Sequence, residues 1–331
     1  MERINTVTGT CTPAELGRTL VHEHILVGYP GWQMDALAPG FRRTEARTRA
    51  IEWMHRLQDH GVRTFLDPCP MDLGRDVEFM AEVAQASGMR VICTTGAYFE
   101  EQGLTYTFRN LPLDDIAAIY EKEIREGIGE TGIKAGLIKV ATGAHRISEY
   151  ERKLLAAAGR AAVRCDVPII THTQEATCGP EQVEILSAEG VPAHRILVGH
   201  SDGVDDPAYH RRIVSSGSYI GFDRLGIEVI LPDAVRVENI ARLFRAGHVR
   251  HVCLSHDSNC GAWLGRPIFA PNTPLDPAEI PKLLPDWTPT HLFERVIPML
   301  REAGVPDEAI TTMIEENPAR WFDGREPPAA A

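Results

Sequence analysis

The stretch of sequence that decides the fold is Thr19-Leu20-Val21-His22-Glu23-His24-Ile25-Leu26-Val27. Apolar and β-branched residues flank its histidines, which predicts a buried strand. Because side chains alternate between the two faces of a strand, His22 and His24 are expected to point the same way. Two imidazoles that converge from one strand are good ligands for a transition metal. Two hydrogen-bonded core histidines are the alternative.

Similar short apolar runs recur along the chain and alternate with amphipathic stretches. In residues 44–60, for example, Ile51, Met54 and Leu57 follow the helical period. Eight strands that alternate with helices predict an α/β protein with a single (β/α)8 TIM barrel, and an open doubly wound sheet is the alternative. The predicted strands are Thr19–Val27, Thr64–Pro70, Arg90–Phe99, Ala135–Thr142, Pro168–Gln174, Ile196–Ser201, Tyr219–Arg224 and His251–Asp257.

Size and composition suit one globular domain. The chain has 331 residues, 44% of them hydrophobic, and a formal net charge of -12. We expect one barrel domain over residues 1–331, with a disordered tail at 324–331. The acidic balance argues against nucleic-acid or membrane partners. No apolar run reaches the roughly 18 residues of a membrane span, and no signal-peptide pattern is present. The seven cysteines form no CxxC pair, so we expect reduced thiols in a cytoplasmic protein.

Metal-ligating side chains also stand late in other predicted strands. His172, His200 and Asp257 lie at or near the ends of the fifth, sixth and eighth strands, and Lys139 lies in the fourth. The carboxyl ends of barrel strands meet at one face, so these residues are expected to converge with the opening histidines. The lysine is unusual because an ammonium group cannot bind a cation. A lysine that has reacted with carbon dioxide is the exception, since its carbamate has two oxygens.

A long proline-containing stretch follows the eighth strand. Residues 259–287 contain six prolines and several apolar residues, among them Trp263 and Phe269. Its length and proline content predict an ordered loop over the mouth of the barrel. The apolar residues favour a lid, and a solvated connection is the alternative.

The six candidate ligands resemble, in order, spacing and strand context, those of the phosphotriesterase family of the amidohydrolase superfamily. The resemblance runs through nearly the whole chain. The motifs that carry it are Gly17-x-Thr19-Leu20-x-His22-Glu23-His24, Gly74-Arg75-Asp76, Thr95-Gly96-x-Tyr98, Ile169-Ile170-Thr171-His172 and Glu316-Asn317-Pro318.

This resemblance implies a binuclear metal centre and a homodimer. The ligands it implies are His22, His24 and Asp257 for the more buried metal, His172 and His200 for the second, and carboxylated Lys139 with a hydroxide as bridges. Zinc is expected, with cobalt, iron or manganese as alternatives, because such ligands accept all four metals. Asp257 would accept the hydroxide proton and pass it to the leaving alkoxide.

Within the family, the chain resembles the phosphotriesterase-like lactonases. Tyr98 after the third strand and Arg224 after the seventh match residues of those enzymes that stand near the metals. They would position the lactone or stabilise developing charge; a core-edge tyrosine and a surface ion pair are the alternatives. Trp263 resembles the tryptophan of their lid. Glu100 and Asn259 depart from the lactonase pattern, and with Trp263 they are expected to line the substrate pocket.

The implied activity is hydrolysis of N-acyl-homoserine lactones or related lactones, which would make the protein a quorum-quenching enzyme, with promiscuous phosphotriesterase activity. A phosphotriesterase or arylesterase as the main activity is the first alternative. Residues 199–203 also match the G-x-S-x-G of serine hydrolases, with Ser201 as nucleophile and Asp257 and His291 as partners. That interpretation leaves the other candidate ligands unexplained. A non-catalytic metal-binding barrel is the last alternative.

Overall fold

Short strands and longer helices alternate along the chain. The computed structural model describes residues 3–103, 105–270 and 272–326. The strands of these residues are, in chain order, β1 (Ile4–Thr6), β2 (Gly9–Cys11), β3 (Arg18–Leu20), β4 (His24–Val27), β5 (Val62–Asp67), β6 (Arg90–Gly96), β7 (Leu137–Thr142), β8 (Ile169–Thr173), β9 (Ile196–Gly199), β10 (Tyr219–Phe222), β11 (Val252–Leu254) and β12 (Asn259–Trp263).

Helices follow most of the strands and cover the outside of the sheet. The helices of the same residues are α1 (Arg43–Asp59), α2 (Val77–Ser87), α3 (Thr105–Asn110), α4 (Leu113–Arg125), α5 (Glu149–Cys165), α6 (Gly179–Ala188), α7 (Pro207–Ser215), α8 (Asp233–Arg245), α9 (Ile280–Leu283), α10 (Ile297–Glu302), α11 (Asp307–Thr311) and α12 (Asn317–Asp323). The start of α5 has a capping box, in which Ser148 accepts from the Glu151 N–H and Glu151 accepts from the Ser148 N–H.

Eight parallel strands form the barrel. Their order across the sheet is β11-β10-β9-β8-β7-β6-β5-β3, so that neighbours in the chain are mostly neighbours in space. The first and last strands approach each other just beyond their ends, where the Asp257 N–H donates to the His22 carbonyl at 2.9 Å. The sheet is therefore nearly closed, and the predicted (β/α)8 barrel is confirmed.

The opening stretch changes partner halfway, so the prediction of one strand over Thr19–Val27 is wrong. β3 pairs with β5 inside the barrel, whereas β4 pairs with β12 beside it. At the change, the His24 N–H donates to the Ser258 carbonyl at 2.8 Å. His22 lies in the bend and His24 begins β4, and their ring centroids are 5.5 Å apart. The two rings meet because the chain switches strands, and not because side chains alternate along one strand.

The later strands end before the residues predicted to act. β9, β10 and β11 end one, two and three residues before His200, Arg224 and Asp257 respectively. His200 and Asp257 have positive φ angles of 58° and 56°. Such a conformation costs a residue other than glycine about 1–3 kcal/mol and requires firm support from its surroundings. These three side chains are therefore carried by turns at the carboxyl end of the barrel, where TIM-barrel active sites lie.

The long stretch after β11 contains regular structure. It begins with β12, which runs beside β4, and it includes the short helix α9. Arg266 within it forms an ion pair with Asp35, whose carboxylate accepts at 2.8 and 2.9 Å. The predicted ordered loop thus connects to the turn after β4. Pro271 lies outside the described residues.

The carboxyl end of the chain is described up to residue 326. α12 ends at Asp323, and Gly324 follows with a left-handed conformation. Residues 327–331 lie outside the described part, so the disordered tail at 324–331 stays a prediction, as does the single domain over residues 1–331. None of the helices in the described ranges is long and apolar enough to cross a bilayer.

Candidate metal centre

A cavity of about 370 Å³ opens at the carboxyl ends of the barrel strands. Its inner part is polar and its outer part is mostly apolar. The predicted metal ligands and catalytic residues all line this cavity: His22, His24, Tyr98, Lys139, His172, His200, Arg224 and Asp257. The barrel therefore gathers residues that are distant in the sequence at one face, as its strand order requires.

Asp257 lies at the centre of the histidine cluster. Its Oδ1 is 3.1 Å from His24 Nε2 and 3.5 Å from His22 Nε2, and its Oδ2 is 3.7 Å from His200 Nε2. Arg224 Nε donates to the same Oδ2 at 3.0 Å. Burial opposes the charge, but the surrounding imidazoles and the guanidinium hold the pKa of Asp257 well below its usual value. The carboxylate is ionised at neutral pH and can accept a proton.

Carboxylates behind the cluster orient three of its imidazoles. His22 Nδ1 donates to Asp223 Oδ2 at 2.8 Å, and His200 Nδ1 donates to Asp223 Oδ1 at 2.9 Å. His24 Nδ1 donates to Asp67 Oδ1 at 3.1 Å. The two bonds to Asp223 place the ring protons of His22 and His200 on Nδ1 and leave their Nε2 lone pairs facing the cavity. Histidines that ligate metals are oriented by carboxylates in this way.

His172 presents its other nitrogen to the cavity. Its Nε2 is 2.8 Å from Gln174 Oε1, and because an amide oxygen only accepts, the ring proton lies on Nε2. The lone pair of His172 is therefore on Nδ1, to which the Tyr98 hydroxyl donates at 3.3 Å. A cation held by His172 would bind Nδ1, whereas the other three imidazoles would use Nε2.

Lys139 extends from β7 into the same cluster. Its Nζ lies 3.3 Å from His22 Nε2 and 3.5 Å from the Thr171 carbonyl oxygen, and the residue is 2% exposed. Burial lowers the pKa of Lys139 to about 8, because desolvation disfavours the ammonium form. Part of the amine is therefore neutral near pH 7, and the neutral amine is the form that reacts with carbon dioxide.

The donor set fits divalent cations. Ligand atoms of one subset lie within 4.8 Å of one another, namely those of His22, His200 and Asp257. Burial, with nearby positive charge, lowers the pKa of three imidazoles, those of His22, His172 and His200. These rings are neutral at pH 7, as ligation requires. His24 differs, because hydrogen bonds to Asp257 and Asp67 raise its pKa despite burial.

Apolar side chains form the outer wall of the cavity. Trp263, Phe269 and Trp287 pack against one another with ring centroids 5.5 to 6.3 Å apart. The turn after β10 adds Val229 and Ile230, which are 75% and 44% exposed. Exposed apolar side chains beside a polar centre are typical of a site for a partly hydrophobic ligand.

The predicted pocket residues do not all reach the cavity. Asn259 and Trp263 line it, and the Asn259 amide donates to the Ala262 carbonyl at 2.8 Å. Glu100 is absent from the lining within the described part of the chain, which corrects its predicted place. Its carboxylate forms an ion pair with Arg109 instead, and the nearby Gln102 lines the cavity.

The residues proposed for a serine hydrolase are not brought together. The Ser201 hydroxyl is fully buried and donates to the Val198 carbonyl at 3.0 Å. His291 Nε2 is 2.6 Å from a different carboxylate, Asp233 Oδ2. Asp257, the intended third member, contacts the histidine cluster. The G-x-S-x-G match therefore does not correspond to a catalytic triad.

The carboxylates that orient the imidazoles were not among the predicted site residues. Asp67 is the last residue of β5, and Asp223 directly follows β10. Both stand at strand ends, so the rule that identified the ligands would also have identified these two. Gln174 gave no comparable signal, because its role depends on which nitrogen of His172 faces the cavity.

Fold and site together place the protein among the hydrolases that use metals at the mouth of a TIM barrel. Comparison with protein families narrows this class. The chain belongs to the phosphotriesterase family, whose model matches residues 2–322, and the resemblance inferred from the motifs is confirmed.

Similar proteins include hydrolases of two kinds of substrate. The aryldialkylphosphatase of Saccharolobus solfataricus is 36% identical over 309 residues, which cover 93% of this chain and 95% of that protein. The structure of organophosphorus hydrolase from Deinococcus radiodurans has a TM-score of 0.90 and 39% identity, and the match covers 97% of each chain. A third similar structure is described as molecular engineering of organophosphate hydrolysis activity from a weak promiscuous lactonase template. It has a TM-score of 0.89 and 38% identity, and the match covers 97% of this chain and 99% of that chain.

Proposed function

We propose that the protein is a binuclear metal-dependent lactonase that hydrolyses N-acyl-homoserine lactones or related lactones, and that it hydrolyses phosphotriesters more slowly. The observation that carries the proposal is the division of the cavity. Its inner part holds imidazoles, Lys139 and Asp257, and its outer wall is apolar. A lactone with an acyl tail has the same division, with one polar ring and one hydrophobic chain.

The proposed ligands divide into two groups. His22, His24 and Asp257 would hold one cation, His172 and His200 the other, and carboxylated Lys139 would bridge them. When bound, two divalent cations lower the pKa of water to near neutrality and polarise a carbonyl oxygen. Zinc is the proposed metal, with cobalt, iron or manganese as alternatives.

Asp257 is the proposed proton carrier. It is ionised, and its Oδ2 is also the acceptor of the Arg224 Nε–H. The carboxylate would take the proton of the attacking water and deliver it to the alkoxide that leaves when the ring opens. Arg224 would keep the carboxylate oriented and, with the remaining donors of its guanidinium, stabilise the oxyanion.

Tyr98 would act as a hydrogen-bond donor. Burial raises the pKa of its phenol well above the usual value, so the hydroxyl keeps its proton. In the structure this proton is directed at His172 Nδ1, which is the lone pair that a cation would occupy. Metal binding would therefore release the Tyr98 hydroxyl to donate to the substrate.

The charge of the wall supports an uncharged substrate. Besides His24, whose pKa is raised, Arg224 and Lys139 are the cationic residues among those described as lining the cavity, and both His24 and Lys139 lie deep within the cluster. A phosphorylated substrate would require further cationic groups near the mouth, because phosphate is usually bound by several charge-assisted hydrogen bonds. The exposed apolar residues instead suit a neutral acyl chain.

A comparison of substrates tests this function. We expect kcat/KM for N-decanoyl-homoserine lactone to exceed that for paraoxon by about 100-fold or more. Lengthening the tail from butanoyl to decanoyl should raise kcat/KM about 10- to 100-fold, since each buried methylene contributes at most about 0.8 kcal/mol and the wall is partly open. Steady-state kinetics on one metal-replete preparation gives both ratios.

The matched variant for this experiment is Val229→Asp, which places a charge on the exposed apolar wall. It should reduce the rate for the decanoyl lactone and leave the butanoyl lactone nearly unchanged. A higher kcat/KM for paraoxon than for every lactone would instead establish a phosphotriesterase or arylesterase as the main activity.

Replacing Asp223 should weaken both metal sites at once. Its two oxygens accept from the rings of His22 and His200, and Oδ1 also accepts from the His200 N–H at 2.7 Å. Asp223→Asn directs an amide NH2 at one of these donors, so one ring loses its orientation. We expect about a 10- to 100-fold loss of metal affinity, measured as metal per chain after dialysis at fixed free zinc.

The control for this variant is Asp205→Asn, which removes an exposed carboxylate paired with Arg242 at 2.9 Å. It should keep the metal content of the wild type. If Asp223→Asn kept that content at every zinc concentration tested, Asp223 would have no part in holding the metals.

A further inference from the structure

Glu23, between the two histidines of the opening stretch, is completely buried. Three donors reach its Oε1: the Ser255 hydroxyl at 2.9 Å, the His256 N–H at 2.8 Å and His256 Nδ1 at 2.6 Å. Two reach its Oε2, the Ser258 N–H at 3.0 Å and the Ser258 hydroxyl at 2.5 Å. These five donors all belong to residues 255–258, the segment that carries Asp257.

His256 extends this contact to the far end of the long loop. Its Nε2 accepts from the Leu292 N–H at 2.8 Å, so its ring proton lies on Nδ1 and is donated to Glu23. Its carbonyl accepts from the Trp287 indole N–H at 2.8 Å. Trp287 lines the substrate cavity. Glu23 therefore holds a segment that also supports the cavity wall.

Asp257 needs such support because of its backbone. Its φ of 56° is unfavourable for an aspartate by about 1–3 kcal/mol unless its neighbours enforce it. The residues on both sides are bound to Glu23, and the Asp257 N–H donates to His22 O at 2.9 Å. These bonds fix where the Asp257 carboxylate stands, which is 3.1 Å from His24 Nε2.

We propose that Glu23 is a positioning residue that holds Asp257 where it can transfer a proton in the reaction. This inference rests on the proposed function, because that function makes Asp257 the proton carrier. Glutamate suits the position chemically. Glutamine would turn an NH2 group toward donors that now point at oxygen, and aspartate is one methylene too short to keep the same reach. A displacement of about 1 Å at a reacting group can cost about 100-fold in rate.

The leaving group separates this role from a purely structural one. Ring opening of a lactone expels an alkoxide, which needs a proton, whereas a p-nitrophenyl ester expels a phenolate that leaves unprotonated. A displaced Asp257 should therefore slow the lactone more than the ester. General loosening of the fold would slow both substrates equally.

The experiment compares wild type and Glu23→Gln with zinc-saturated protein. We expect kcat for the lactone to fall about 30- to 100-fold with KM changed less than about threefold, and kcat for a p-nitrophenyl ester to fall at least about fivefold less. Metal per chain, measured on the same samples, should equal that of the wild type.

Two further variants keep the test decisive. Glu123→Gln, which breaks the buried pair with Arg75 at 2.7 Å, should lower Tm without changing the ratio of the two rates. Ser258→Ala removes one donor to Glu23. It should lower kcat less than Glu23→Gln does, but again more for the lactone than for the ester. This variant replaces Glu23→Gln in the test if Glu23→Gln does not fold. Folded, metal-replete variants that lose both activities equally, or neither, would overturn the positioning role.

The wild type tests the proposed function separately. A metal-replete wild type that opens no lactone would end that function. If the wild type opens lactones but Glu23→Gln slows the lactone and the ester equally, only the role of Glu23 would be overturned.

Discussion

Removal of metal by a chelator is expected to lower kcat/KM for lactones on the order of 10⁴-fold or more, because water in the cavity would then keep its ordinary pKa and no cation would polarise the carbonyl oxygen. None of the described residues that line the cavity is a serine, threonine or cysteine, and burial raises the pKa of the Tyr29 and Tyr98 phenols, so these residues supply no ready nucleophile. Adding zinc, cobalt or manganese should restore activity. Rates and metal per chain, measured at each stage of removal and return, should fall and rise together.

Two controls accompany the chelation experiment. A serine-directed reagent should leave the rate unchanged, and Ser201→Ala should keep kcat/KM within about twofold of the wild type, because its hydroxyl is committed to the Val198 carbonyl. A preparation with well under one equivalent of metal that still turned over at the full rate would contradict the metal-dependent proposal.

The barrel and its candidate ligands were predictable because both follow from short-range patterns. Apolar runs that alternate with helical stretches predict parallel strands, and parallel strands bring their carboxyl ends to one face. Lys139, His172 and His200 needed no further information to be placed together. Family resemblance then supplied the expectation of two metals, which the strand pattern alone does not contain.

The details that escaped prediction depend on contacts between distant parts of the chain. The break between β3 and β4 arises because β4 pairs with β12, more than 200 residues later. The proton positions on the imidazoles depend on Asp67 and Asp223, which stand at the ends of other strands. Glu100 was misplaced because its partner, Arg109, lies on a helix whose packing the sequence does not reveal.

Asp257→Asn should have the largest effect of any single substitution. We expect kcat for lactones to fall about 10³- to 10⁴-fold with KM changed less than about fivefold, because the amide keeps the shape of the side chain but cannot accept a proton. Of the two carboxylates among the described lining residues, Glu175 is an exposed partner of His145, so it cannot substitute for Asp257. Steady-state kinetics on zinc-saturated protein gives both constants.

The leaving group again identifies the cause of the loss. If Asp257 carries the proton, Asp257→Asn should slow lactones about tenfold more than p-nitrophenyl esters, since a phenolate leaves without protonation. If Asp257 served only to hold a cation, both substrates would slow in proportion to lost metal, and excess zinc would restore both. Since Asp257 contacts His24 Nε2 and Arg224 Nε at once, some loss of metal is expected as well. Asp257 is therefore the proton carrier only if the variant still slows lactones more than p-nitrophenyl esters at full metal occupancy.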